Sequence, residues 1–266
     1  LKIAVTGKGG VGKTTLAAGL ARGFSRRGRR VVALDLDPSP NLLLTLGTEE
    51  EVPPEKLVPL MERASLIEER TGAYPGGYGL VFKLNPKVDD LLDRFGIRCR
   101  DGVWLLVVGR IGKGGQGCFC PASALARRLV DHLSRVAEVL ILDMEAGVEH
   151  LGRGTTKGAE GMLVVVEPSL KALETAKQIK KLGEDLGISR IFAVVNKFKE
   201  GAEGVVSRLE GEGLPVLAVL PHDPAVERAE MRGESVFDLE EGREFFSRML
   251  ELSRVLEERM GEGELS

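Results

Sequence analysis

The sequence predicts an α/β fold built on a doubly wound, mostly parallel sheet. Three observations carry this. Strand-length apolar runs alternate with amphipathic segments along the chain. The runs are apolar at consecutive positions, as strands covered on both faces require. A glycine-rich turn joins the first run to the first amphipathic segment. The strand runs are 2–6, 30–36, 103–108, 139–143, 162–167, 191–196 and 216–220. Helical patterns fall at 14–27, 122–135, 171–186 and 203–212, and a last one, 240–260, closes the chain. Strand–helix repetition of this kind implies a parallel sheet covered by helices on both faces.

The stretch 49–101 breaks the rhythm. It holds Pro53-Pro54, a polar helix-like segment and the turn-rich Tyr74-Pro75-Gly76-Gly77-Tyr78. It reads as an insertion at the sheet edge of one domain spanning 1–266. Arg100-Asp101-Gly102 is a hairpin turn signal between a short run at 97–99 and the strand from Val103. Asp-Gly tolerates the positive φ such turns need, so at least one antiparallel edge strand is expected. The tail from Gly261 to Ser266 is expected to fray.

Composition narrows the function. The 266 residues carry 37 Lys plus Arg against 40 Asp plus Glu, a net charge of −3. That disfavours a polybasic nucleic-acid binder, and a charge-free apolar run long enough to span a membrane is missing. The start, Leu1 to Val5, runs straight into glycines, a pattern that predicts no signal peptide. The cysteines, Cys99, Cys118 and Cys120, are too few for a disulfide framework and suit a reducing cytoplasm.

The chemistry begins at Gly7-Lys8-Gly9-Gly10-Val11-Gly12-Lys13-Thr14-Thr15, which fits G-x-x-x-x-G-K-S/T between a strand and a helix. Glycines let backbone N–H groups turn inward around phosphate oxygens, and the helix N-terminus adds positive potential. Lys13 supplies a charge to the β/γ-phosphates of ATP or ADP. The Thr14 hydroxyl suits Mg2+, which takes few protein ligands beside phosphate oxygens. The second strand ends in Asp35-Leu36-Asp37 and the fourth in Asp143, all at carboxyl ends, where such sheets bind ligands. Taken singly, each strand-end aspartate serves equally well as a helix cap.

With its second lysine, this loop resembles the deviant Walker A motif of the MinD/ParA/nitrogenase-iron-protein group of ATPases. The resemblance implies a P-loop NTPase of MinD-like fold. Lys8 would cross a dimer interface to the partner's nucleotide. Asp37, in Asp35-Leu36-Asp37-Pro38, would orient the attacking water, with Asp35 supporting the Mg2+ shell and Asp143 holding the ion at the Walker B position. Asn196 and Lys197 after one strand, and Pro221, His222 and Asp223 after the next, would flank the adenine. For His222 a surface role is equally consistent with its sequence setting.

Gly117-Cys118-Phe119-Cys120-Pro121 precedes a helix whose first residue would be Pro121, placing Cys120 at the N-cap. Two thiolates two residues apart can chelate one metal, yet a closed site needs about four ligands. His132 lies within the following helix, and Cys99 is remote in sequence. Two chains related by a two-fold would supply four sulfurs. Two incidental loop thiols remain the plain alternative, and Cys99 reads as a buried structural thiol.

The cysteine loop, the stretch 143–155, the segment 166–176 and Phe82 to Leu91 together resemble the CooC-type ATPases. The resemblance runs over most of the chain. It implies an ATP- or metal-promoted homodimer that binds Ni2+ between two C-x-C pairs and supplies it to apo carbon monoxide dehydrogenase. The same four thiolates suit Zn2+. Two other readings stay open. One is an iron–sulfur cluster carrier or reductive-activation ATPase on the same cysteines. The other is a MinD/ParA-like positioning ATPase. That reading needs a basic membrane helix, which the glutamate-rich C-terminus does not offer, or a basic surface, for which Arg26, Arg27, Arg29 and Arg30 are the one dense cluster.

Overall fold

A computed structural model describes residues 1–37, 39–75, 81–110, 121–144 and 158–261. The elements, in chain order, are β1 (Lys2–Gly7), α1 (Lys13–Arg26), β2 (Val31–Asp35), α2 (Leu42–Leu46), α3 (Pro54–Leu57), α4 (Ala64–Thr71) and α5 (Leu91–Phe95). There follow β3 (Ile97–Arg98), β4 (Trp104–Val107), α6 (Pro121–Val136), β5 (Val139–Asp143), β6 (Gly161–Val166) and α7 (Leu170–Asp185). The chain closes with β7 (Ile191–Phe198), α8 (Gly204–Gly211), β8 (Val216–Pro221), α9 (Pro224–Arg232) and α10 (Arg243–Gly261).

The eight strands form one sheet in the order β3-β4-β2-β5-β1-β6-β7-β8. All neighbours are parallel except the edge pair β3–β4. The expected doubly wound sheet and antiparallel edge are therefore present. At the hairpin, Asp101 has φ 56° and Gly102 φ 79°, as the Asp-Gly signal requires.

Strand periodicity divides the core. Ile3, Val5, Ala33, Ile141, Leu163 and Val165 face α1 and α10, while Ala4, Leu34, Leu142, Val164 and Val166 face the side that holds α6 and α7. Each strand thus buries alternate residues on opposite faces, which is why the runs read as continuously apolar. Helix α6 presents Leu125, Leu129, Val130 and Leu133 to its face at helical spacing. Helix α10 turns Phe245, Met249, Leu252, Leu256 and Met260 onto the α1 face. Among the described residues no helix is long and apolar enough to cross a membrane.

Some elements differ from the sequence reading. The last helix starts at Arg243, because Glu240–Gly242 forms a separate 3-10 turn. Helix α9 is additional. Its signal is local: Asp223 caps it by accepting the Ala225 N–H at 2.9 Å, and Pro224 sits in the first turn. The stretch 49–101 contributes α3, α4 and α5 besides β3, the edge strand next to β4. The arginine cluster is matched by carboxylates: Arg27 and Arg29 meet Glu257, Arg30 meets Glu138, and Arg26 meets Asp101.

Candidate functional site

The phosphate-loop sequence leaves β1 at the centre of the sheet. Strand β1 lies between β5 and β6, where the winding direction reverses and a crevice opens at the carboxyl ends. Val11 is fully buried and anchors the loop. Gly12 caps α1 with φ 93° and ψ 28°, and no side chain caps the helix. The first-turn N–H groups therefore point at whatever occupies the crevice. A Cβ on Gly12 would also overlap the Asn196 carboxamide, so conformation and space both demand glycine.

Asn196 and Lys197 brace the loop from the β7 side. The Asn196 Nδ2 donates to the Val11 carbonyl at 2.8 Å, and the Lys197 Nζ donates to the Gly10 carbonyl at 2.8 Å. Holding these carbonyls outward leaves the loop N–H groups facing inward. Lys197 itself sits at φ 55°, an uncommon conformation for a residue with a Cβ.

Lys13 is almost buried and its Nζ donates to the Lys8 carbonyl at 3.2 Å. The Thr14 hydroxyl stands beside the Asp143 carboxylate and favours its charged form. Asp143 is 1% exposed, and its Oδ1 has no hydrogen-bond partner among the described residues. Burial, followed by the neighbouring Asp35 carboxylate, pushes Asp143 up to about 8, against the opposing pull of Thr14 and Lys13. Burial likewise raises Asp35 to about 6. Its two oxygens accept the Asp37 N–H at 3.1 Å and the Leu42 N–H at 2.9 Å, pinning the turn after β2. An unpaired buried carboxylate oxygen beside a hydroxyl and a second carboxylate suits a hard divalent cation that also binds phosphate.

A cavity of about 300 Å3 continues from the loop. Gly10, Gly12, Lys13, Thr14 and Thr15 line one side, and Asn196, Lys197, Pro221, His222 and Asp223 the other. The sequence reading did not name Asn41, Leu44 and Thr45 of the α2 segment, or Val226, Glu227 and Glu230 of α9, which also line it. His222 Nε2 lies 2.9 Å from Glu227 Oε1 across the first turn of α9. Only the cap signal of α9 could have brought its residues forward from sequence.

Gly7 and Gly9 belong to the same loop. The Asp37 Oδ1 accepts the Ser39 N–H at 2.8 Å, and Lys8 points to Glu167 at 3.3 Å. Cys118, Cys120, Pro38 and the stretch 145–155 lie outside the described residues. Pro121 does open α6. Cys99 is buried, and burial pushes its thiol up to about 12, so it stays protonated and unreactive.

A family described as the CobQ/CobB/MinD/ParA nucleotide binding domain matches residues 2–236. The chain belongs to this family of nucleotide-binding ATPases. It is 49% identical over 239 residues to an uncharacterized ATP-binding protein of Methanocaldococcus jannaschii, covering 89% of this chain and 91% of that one. It is 41% identical over 245 residues to the carbon monoxide dehydrogenase accessory protein CooC of Rhodospirillum rubrum, covering 90% of each. Its fold is similar to that of a ParA family ATPase from Chlorobium tepidum, with a TM-score of 0.70 at 19% identity over 95% of this chain and 98% of that one.

For this CobQ/CobB/MinD/ParA ATPase, the buried carboxylates fix a pH dependence. Unfolded aspartate titrates near 3.9. Asp143 and Asp35 are raised in the fold, so each favours the folded state below about pH 4. That contribution is lost as pH rises, through about 6 for Asp35 and about 8 for Asp143. The nucleotide-free protein should therefore lose stability steadily as pH rises from 5 to about 8. Urea unfolding across that range measures it, and Asp143→Asn should flatten the slope. An unchanged slope in the variant would show that Asp143 is not the titrating group.

Proposed function

We propose that this ATPase is a maturation factor for carbon monoxide dehydrogenase, working in the cytoplasm as a homodimer that carries Ni2+ to the apo-enzyme. The observation that carries this is the 41% identity to CooC over 90% of both chains. The Cys118–Cys120 pair adds donor chemistry that a thiolate-seeking metal requires.

In this reading ATP occupies the cavity, with its phosphates on the loop N–H groups and Lys13. Thr14, Asp143 and Asp35 are the residues that would hold Mg2+. That ion, when bound, supplies charge neutralisation at the phosphates. Asp37 orients the attacking water. Lys8 reaches the phosphates of a second copy and draws the two chains together. Four thiolates, Cys118 and Cys120 from each chain, then meet across the two-fold and chelate one Ni2+. Thiolate ligation is strong, so cargo leaves when hydrolysis loosens the dimer.

A positioning ATPase is less well supported. The arginine cluster faces carboxylates, and the apolar face of α10 packs on α1 rather than remaining for a lipid surface.

Metal content of the anaerobically purified, reduced protein tests the proposal, with Ni2+, Zn2+, or ferrous iron plus sulfide supplied. One Ni2+ per dimer is expected, lost in the Cys118→Ala, Cys120→Ala double variant while basal ATP hydrolysis continues. Metal binding that survives in the variant would sink the site assignment. Four irons and four sulfides per dimer would make the cargo an iron–sulfur cluster instead.

A further inference from the structure

We propose that Glu167 is a positioning residue that holds Lys8 on its own chain, and so sets the protein concentration at which two copies close over ATP. This rests on the homodimer reading above and adds the intrachain contact that opposes it.

Strands β1 and β6 are neighbours, with Gly7 opposite Val165. The chain continues past the end of both strands, and Lys8 and Glu167 emerge side by side there. The Lys8 Nζ lies 3.3 Å from the Glu167 Oε1. That carboxylate is itself fixed, because the Ser169 hydroxyl donates to the same oxygen at 3.3 Å. Ser169 in turn caps α7 by accepting the Ala172 N–H at 3.2 Å. The acceptor for Lys8 is therefore set by strand order and a helix cap, not by a free loop. The two side chains stay 37% and 31% exposed, so the pair can open without breaking the core.

Lys8 is also tied through its main chain, since its carbonyl accepts the Lys13 Nζ. A phosphate on the loop competes for that ammonium and slackens this second tie. The ion pair with Glu167 then remains to be broken before the Lys8 side chain can extend toward another molecule.

A part-exposed ion pair is worth a factor of roughly 1.5–5. Two pairs open per dimer, so Glu167 should weaken dimer closure by roughly 2–30-fold. Glu167→Gln keeps the shape and an acceptor for Ser169 while removing the charge. Two measurements test it. In the nucleotide-free monomer, acylation of Lys8 by an amine-reactive ester, read by peptide mass spectrometry, should speed up severalfold. With a non-hydrolysable ATP analogue, the dimer dissociation constant from sedimentation should fall about 2–30-fold. Glu167→Asp, with its shorter reach, should give an intermediate response in both and guards against a folding defect in the first variant. Unchanged Lys8 acylation overturns the proposal, and so does faster acylation with an unchanged or weaker dimer. A wild-type chain that stays monomeric with the analogue at every concentration instead removes the homodimer reading, and the gating falls with it.

Discussion

Lys13→Ala should slow ATP hydrolysis by roughly 10²–10³-fold, the cost of removing one preorganised charge from a transition state that spreads negative charge over phosphate oxygens. The structure explains why no neighbour replaces it. Lys8 is engaged with Glu167, and Lys197 bonds the outer, carbonyl side of the loop. Lys13 also lowers the Asp143 pKa through its charge, so its loss should leave Asp143 more firmly protonated and a poorer cation ligand. The variant should therefore weaken Mg2+-nucleotide binding more at pH 6.5 than at pH 8.5. Steady-state hydrolysis and nucleotide titration at the two pH values measure this. A loss of less than tenfold would mean that the charge acting on the phosphates comes from elsewhere.

The second large effect is on stability. Arg22, on α1, is 1% exposed. Its Nε donates to Asp101 Oδ2 at 2.6 Å and its Nη2 to Asp238 Oδ1 at 2.7 Å. Its Nη1 reaches the Leu46 carbonyl at 3.2 Å and the Ser235 hydroxyl at 3.3 Å. The guanidinium lies 5.6 Å from the Phe237 ring and 5.3 Å from the Phe246 ring. One side chain thus ties the helix behind the phosphate loop to the edge hairpin, to α2 and to the turn before α10. Arg22→Ala takes the buried donor away from a main-chain carbonyl and from two carboxylates. Truncating one partner of a buried ion pair costs about 3–5 kcal/mol. Here Asp101 keeps Arg26 and Asp238 keeps Arg100, and both carboxylates are partly exposed. That places the expected loss near 3 kcal/mol. Urea unfolding should show a lower midpoint at unchanged slope. A loss under about 1 kcal/mol would mean that the network relaxes around the gap.

Both sites differ in how much of them the sequence discloses. The glycine and lysine spacing of the loop is local, and so is its strand–helix setting. The Asp101-Gly102 turn and the Asp223-Pro224 cap are local signals too. Asp35 and Asp143 were legible as strand-end acids. Their protonation was not, because it comes first from burial in the crevice and, for Asp143, then from the Asp35 carboxylate on the adjacent strand. Asn196 was read as a contact to adenine; the structure adds its hydrogen bond to a loop carbonyl 185 residues away in sequence. Arg22 carried no mark at all, since its charged partners stand 79 and 216 positions along the chain.

By itself the sequence determined the sheet, its winding, the antiparallel edge and the phosphate loop, because strand periodicity, caps and glycine conformations act over a few residues. The tertiary structure alone decided which side chains meet: Glu167 with Lys8, Lys197 with the loop, and Arg22 with three separate segments. Those meetings follow from strand order and helix docking, which bring together residues that no local pattern links.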